Sequence, residues 1–365
     1  MALRPAKIAE PGTQELKPMN KPVFLSDKEV AAHLFPFSQT RPVADIRIGI
    51  LTIRQKWEKL LQQPVTVLKP DEEAPANAIV FAANIIPTAA FIQSIFNNEP
   101  DYTSVKVLQY PWHIFQWNDW ALREDFQLLT QGRYSEPIPE SVQVINSNQV
   151  FIEPGAVLHH CMLNASTGPI YIGPNAEIME GSFIRGPFAL GEGALVKMGA
   201  KIYGATTIGP YSLAGGEIKN SILFGYSNKA HDGYLGDSVI GEWCNLGAGT
   251  SNSNIKNTAS EVNIWHYHSR EYMRAGIKCG LLMGDYSRAA INTSFNTGTV
   301  VGICANIFGE GMPPKFIPSF TWGNKGLSLY EFEKALKDIA NWKKLKNQVL
   351  TEAEITQLKH IFGQS

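Results

Sequence analysis

Lys229, His231 and Tyr234 stand close together in "KAHDGYLGDS", a titratable set inside a stretch otherwise punctuated by glycine. Histidine is the side chain whose ordinary pKa, about 6.5, suits it to take a proton near neutrality, so His231 is a candidate general base. Tyr234, Asn245 and Asn254 offer neutral hydrogen-bonding groups around the histidine. Gly247 and Gly249 flank Ala248, and such small residues let a substrate approach the main chain, where an N–H can face a developing oxyanion. The bland alternatives are a turn histidine at 231, a packing tyrosine at 234, and turn-capping roles for Asn254 and Lys256.

A repeat must position these residues. Aliphatic residues recur every sixth position at Ile172, Ile178, Ile184, Leu190, Val196, Ile202 and Ile208, with Gly173, Gly191 and Gly209 directly after three of them. Six residues is not a helical face repeat, and the glycines and prolines would break a helix. The period fits a triangular β-solenoid in which each hexad is one short strand plus a turn. It returns at Tyr234, Ile240 and Leu246, and again at Met283, Ala289, Phe295, Val301 and Ile307. The stretch 251–280 breaks the pattern and reads as a loop thrown out of the solenoid.

The flanks differ. Residues 21–140 contain strand-like "PVFL" and "NAIVFAANII", a segment "DIRIGILTIRQKWEKLL" that ends as a helix with Trp57, Leu60 and Leu61 on one face, and helical "TAAFIQSIF". They form a small α/β domain, the solenoid spans 141–325, and 326–365 hold two amphipathic helices. Each helix opens on a capping-box pattern, Ser328 with Glu331 and Thr351 with Glu354, and the pair is expected to pack across the solenoid end. Residues 1–20 are Pro-rich and aperiodic, read as a mobile tail and not as a signal peptide.

Composition narrows the classes. With 32 basic and 33 acidic residues the net charge is −1, which gives no broad field for nucleic acid or an anionic membrane. The four cysteines form no CxxC pair, which favours a reducing, cytoplasmic setting over a disulfide framework. No apolar run reaches the roughly 20 residues of a membrane span.

The string "KAHDGYLGDSVIGEWCNLGAGTSNSN", with "GGEIKN" before it, resembles the acetyltransferase domain of the bifunctional glucosamine-1-phosphate N-acetyltransferase/N-acetylglucosamine-1-phosphate uridyltransferases. The match runs without gaps from His231 to Asn254. Beyond residue 20, "TRPVADIRIGILT", "NKAHDGYLG" and "PKFIPSFTWG" are similar to an alternative bacterial branch of that family with a short nucleotidyltransferase-like N-terminal domain. The resemblance implies a left-handed β-helix with C-terminal helices and a homotrimer binding acetyl-CoA between neighbouring solenoids. It further implies acetylation of an amino-sugar phosphate, coupled to uridylyl transfer from UTP that gives a UDP-N-acetyl sugar. His231 would be the base, and Asn254 would position the amine and contact acetyl-CoA. Tyr234 and Asn245 would contact the sugar, Lys219 and Lys197 its phosphate, Lys256 would also bind the substrate, and the Ala248 N–H would bind the thioester carbonyl.

The N-terminal half departs from that pattern. "LFPFSQTRPVADIRIG" is similar to part of a sugar nucleotidyltransferase segment through Leu34, Pro36, Phe37, Ser38 and Pro42. The glycine-rich turn that sets N–H groups against phosphates is missing, and Asn84 stands where an acidic Mg²⁺ ligand is expected. Arg41, Asp45 and Arg47 are candidates for a nucleotide phosphate and metal, with a structural ion-pair cluster as the alternative. Two other readings of the whole chain stay open. One is a non-catalytic trimeric scaffold that binds a sugar nucleotide. The other is a zinc enzyme of the γ-carbonic-anhydrase kind, using His159, His160, His266 or His268.

Overall fold

The computed structural model describes residues 21–69, 71–97 and 99–364 of the chain, so the expected N-terminal tail lies outside the described residues. The hexads build a parallel β-solenoid of the left-handed β-helix type, with three walls of nine, eight and six strands. Coils stack in register, Ile172 on Leu190, Ile178 on Val196 and Ile184 on Ile202. Each of these six side chains is at most 2% exposed. Burying one such aliphatic contributes about 1.5–3 kcal/mol, so the repeat is the core.

The frame shifts after Ala214. The corner Gly215–Gly216 is short, and Ile218 follows as the next inward residue, paired with Ile202. One coil later the register sets Leu235 on Ile218, and Leu235, 1% exposed, enters the core. Tyr234, expected on the inward frame, therefore faces outward, because neighbouring strand residues point to opposite faces.

The expected loop at 251–280 is corrected in two ways. Ser251–Asn252 is still a solenoid strand, paired with Ser294–Phe295. The excursion beyond it folds into an antiparallel hairpin, Asn263–His266 with Glu271–Arg274. Its Val262, Ile264, Ala275 and Cys279 share one apolar core with the N-terminal domain.

That domain has a three-stranded parallel sheet in which Val23–Ser26 lies between Val65–Val67 and Ile79–Ala82. Helix Ile53–Leu61 opens on a Thr52–Gln55 capping box and buries Trp57, Leu60 and Leu61. The domain lies against the nine-stranded wall. Leu122, Phe126 and Leu129 of helix Asn118–Thr130 meet Phe151, Tyr171, Ala189 and Ala205 of the solenoid. Asn118 adds polar links from its side chain to the carbonyl of Ala205 and the amide of Gly49.

The C-terminal helices depart from expectation in start and place. Helix Glu352–Phe362 keeps the Thr351–Glu354 capping box. The other begins at Phe332, and Ser328 does not cap it. Residues 328–330 are instead spent on pairing: the Trp322 N–H donates to the Ser328 carbonyl and the Tyr330 N–H to that of Phe320. Both helices lie along one corner of the solenoid, not across its end. Trp243, Tyr286, Cys304 and Phe320 from successive coils share a core with Tyr330, Ile339, Leu358 and Ile361. Aromatic stacking extends that corner, with Tyr226 on Trp243 at 4.3 Å and Tyr211 on Tyr226 at 5.1 Å.

Candidate functional site

The corner between the eight- and six-stranded walls carries His231. Strand Asn228–Lys229 ends there, and Gly233 brings the chain into strand Tyr234–Gly236 with φ at 121°. A Cβ at Gly233 would collide with the carbonyl of Thr250 in the next coil, so the turn requires glycine. The register Asn228 on Asn245, with the Gly249 N–H donating to the Asp232 carbonyl at 2.9 Å, stacks His231 on Ala248. Gly216 lies one coil to the other side, close to the His231 carbonyl. His231 is exposed between two small residues, which leaves its imidazole reachable from solvent. The Ala248 N–H has no hydrogen-bond partner among the described residues, while its carbonyl accepts from Asn292.

Around the corner, Tyr234 and Asn254 are joined. The Asn254 amide donates to the Tyr234 hydroxyl at 3.1 Å and also to the Asp237 carboxylate. Asp237 accepts at its other oxygen from Asn220 at 2.6 Å. Burial and the nearby Asp237 charge push the Tyr234 phenol well above its ordinary pKa, so it stays protonated and able to donate. Asp237 and Asn220 were not among the sequence candidates. The Gly-Asp pair after Tyr234 was the available signal.

Lys219 stands on the six-stranded wall between Tyr203 and Gly236 of adjacent strands, its ammonium 5.5 Å from the Tyr203 ring centre. The same wall continues into a cavity of about 330 Å³ lined by Asn164, Phe183, Arg185, Lys201 and Tyr203. Tyr203 donates to Glu217 at 2.6 Å. Lys197 is half-buried at an earlier turn of the His231 corner.

Two candidates are placed apart. Asn245 projects from the eight-stranded wall, where its side-chain Oδ1 accepts from the Asn228 side-chain amide at 3.4 Å, on a different wall from Tyr234. Lys256 donates to the Glu261 carbonyl within the inserted segment.

The N-terminal candidates Arg41 and Asp45 line one cavity of about 240 Å³ together with Glu242, Asp285 and Glu354, and all three candidates are engaged by protein partners. Arg41 is held by Asp285 and, at 3.5 Å, by Glu242, both from the solenoid. Burial alone would lower its pKa, but the two carboxylates hold it above the ordinary value. Arg47 donates to the carbonyls of Phe224 and Ile50. Asp45 pairs with Arg54 at 2.7 Å and not with Arg41 or Arg47, which corrects the pairing expected for a structural cluster. These arginines join the domains because their partners project from the wall on which the domain sits.

A separate cavity of about 400 Å³ opens where strands Val23–Ser26 and Ile79–Ala82 end, lined by Glu29, His33, Asn84, Gln109 and Tyr110. Ligands of open α/β sheets bind at such carboxyl ends. The Asn84 amide donates to the Leu108 carbonyl at 2.7 Å, and its buried oxygen has no partner among the described residues. One carboxylate and one amide oxygen are too few donors to hold Mg²⁺ unaided, and the described residues contain no cluster of three His, Cys, Asp or Glu side chains suited to a metal. His266 and His268 of the hairpin pack on His33 at this cavity, with ring centres 5.8 and 4.0 Å away. His159 and His160 lie elsewhere, at a turn after strand Val157–Leu158.

Comparison with known proteins gives three findings. Residues 23–99 and 65–134 match the sugar nucleotidyl transferase family. The chain is 28% identical over 216 residues, 56% of its length and 47% of the relative's, to a bifunctional sugar-1-phosphate nucleotidylyltransferase/acetyltransferase of Sulfurisphaera tokodaii. It is 36% identical over 88 residues to the bifunctional protein GlmU of Methanococcus aeolicus, covering 24% of this chain and 20% of that one. The chain thus spans less than half the length of these curated relatives. Among solved structures, an Arabidopsis UDP-N-acetylglucosamine acyltransferase aligns over 62% of this chain and 90% of that one, at 15% identity and a TM-score of 0.26.

Proposed function

We propose that the solenoid transfers an acetyl group from acetyl-CoA to the amine of an amino-sugar phosphate of the glucosamine-1-phosphate kind. The observation that carries this reading is the corner itself: an exposed His231 stacked by register on Ala248, whose main-chain N–H has no partner among the described residues, beside the Tyr234–Asn254–Asp237 network. Asn254, fixed by Asp237, orients the amine. His231 takes the amine proton as nitrogen attacks the thioester carbonyl. The Ala248 N–H donates to the resulting oxyanion. Collapse breaks the C–S bond, and the thiolate leaves with the proton that His231 returns. Tyr234 donates to a sugar hydroxyl, and Lys219 pairs with the phosphate, assisted by the half-buried Lys197.

The reading includes a homotrimer. Asn245 lies on another wall, so contact with this sugar requires a second copy. Exposed Phe183, Met198 and Ile291, at 54%, 66% and 69%, give the six-stranded wall and its corner an apolar surface suited to such packing. The test is thiol release from acetyl-CoA with several amino-sugar phosphates. His231→Ala should lower turnover about 10²-fold or more with the fold retained, as expected on losing a general base. Near-normal turnover removes His231 from the reaction.

A second reading concerns the N-terminal domain. Its family match and the cavity at the strand ends support recognition of a sugar nucleotide there. Uridylyl transfer from UTP is the finer proposal, and it draws support from the match alone, since among the described residues no Lys or Arg lines the cavity. Calorimetric titration with UTP and with a UDP-sugar tests it. Binding of the UDP-sugar without pyrophosphate release on adding UTP leaves recognition and removes transfer.

A further inference from the structure

The inward stack of the eight-stranded wall holds Val196, Ala214, Leu246 and Ala289, and between Ala214 and Leu246 it holds Lys229. Lys229 is 1% exposed, inside a column where every neighbour is a hydrocarbon. An aliphatic side chain there would fill the coil with no charge to desolvate. The ammonium instead donates to two main-chain carbonyls, of Gly215 at 3.2 Å and of His231. Among the described residues neither carbonyl accepts from a main-chain N–H, because the shortened corner at Gly215 and Gly216 takes both out of the ladder. Burial pulls the Lys229 pKa down to about 8, with Asp232 partly opposing.

We propose that Lys229 is a positioning residue for acyl transfer, which fixes the His231 peptide from inside the solenoid so that the imidazole leaves the corner toward the Ala248 N–H. The inference rests on the reading of His231 as the base. A purely structural lysine would satisfy carbonyls and move stability alone. A positioning lysine sets the geometry of the proton transfer, where a misplacement of about 1 Å costs of the order of 10²-fold. It therefore moves kcat and leaves substrate binding, which is built on the other wall by Tyr234, Asn254 and Lys219.

The experiment compares wild type, Lys229→Met, Lys229→Gln and His231→Ala by steady-state thiol release, thermal midpoint and light scattering. Lys229→Met is expected to fold and to lose kcat about tenfold or more, with KM for both substrates within about twofold. Lys229→Gln keeps a neutral donor and should recover part of that loss. The high-pH inflection of wild-type kcat should be absent in Lys229→Met. Both Lys229 variants within about twofold of wild-type kcat overturn the proposal. Failure of both to fold assigns Lys229 to folding alone and overturns it too. Near-normal turnover in His231→Ala defeats the parent reading, whereas an inactive His231→Ala beside a fully active Lys229→Met defeats this inference only.

Discussion

Arg41 of the N-terminal domain is clamped by Asp285 of the solenoid, and the two side chains are 9% and 2% exposed. The same carboxylate accepts from Thr40 at 2.6 Å and, through its other oxygen, from the Glu242 main-chain N–H at 2.8 Å. One acidic group thereby closes a solenoid corner and anchors the neighbouring domain. Tyr286 next to it donates to Glu354 at 3.0 Å, which ties the C-terminal helix to the same joint.

Removing one partner should cost more than replacing both. Arg41→Ala strands a buried carboxylate, and breaking a buried pair in this way destabilises by about 3–5 kcal/mol. The double variant Arg41→Met/Asp285→Asn should recover part of that loss. Thermal midpoints of the two variants measure the difference, and UTP affinity measured alongside should be unchanged. Lost nucleotide affinity with an unaltered midpoint in Arg41→Ala would return the residue to a ligand role.

The proposed sugar contact has its own signature. Tyr234→Phe removes a hydroxyl that Asn254 holds in place. Loss of one such hydrogen bond is worth about 0.5–1.5 kcal/mol, so KM for the amino-sugar phosphate should rise a few-fold to about tenfold, with kcat little changed. Asp237→Asn should do more, because it weakens the acceptor of both Asn254 and Asn220. Equal kinetics for wild type and both variants would take the network out of the substrate site.

What the sequence disclosed depended on distance along the chain. The hexads were readable because each inward residue is set by its own turn, and the string from His231 to Asn254 because one coil and its successor are adjacent in sequence as well as in space. The frame hid Lys229 and misplaced Tyr234, since the shortened steps from Ala214 to Ile218 and from Leu235 to Ile240 cannot be seen in a pattern that assumes six residues per strand. The partner of Arg41 was beyond reach, because Asp285 lies 244 positions away and no local rule selects it over the nearby Asp45. Ser328 shows the converse limit. Its capping pattern was sound locally, but pairing with residues 320–322 claimed the segment first.

Acidification should loosen the N-terminal domain. Burial, aided by Lys106, lowers the His113 pKa to about 4, and its buried Nδ1 has no partner among the described residues. Burial lowers His266 as well, and burial with His268 lowers His33. A histidine with a depressed folded pKa binds fewer protons folded than unfolded. Its contribution to stability is therefore complete above about pH 6.5 and declines as the pH falls toward the folded value. The thermal midpoint of wild type should drop between pH 6.5 and 4 more steeply than that of His113→Leu. Carboxylates act equally in both proteins, so the difference isolates the histidine. Parallel curves would mean that His113 is already charged in the folded protein.

The last expectation concerns assembly. Asn245 and Tyr234 project from different walls of one solenoid, and under the proposed function a sugar held by Tyr234 meets Asn245 of a neighbouring copy. If the site is shared, His231→Ala and Asn245→Ala subunits carry complementary defects. Each variant alone forms trimers in which every site is damaged. A trimer reassembled from both at equal ratio pairs an intact His231 with an intact Asn245 of the next copy at about a quarter of its sites, as random threefold assembly dictates. Co-refolded mixtures should regain about that fraction of wild-type thiol release, whereas the two proteins mixed after separate folding should regain none. Met198→Asp, placed in the exposed apolar corner, should abolish both the trimer seen by light scattering and the recovery. Activity in a monomeric Met198→Asp protein, or no recovery in mixtures that do form mixed trimers, would confine the whole site to one copy.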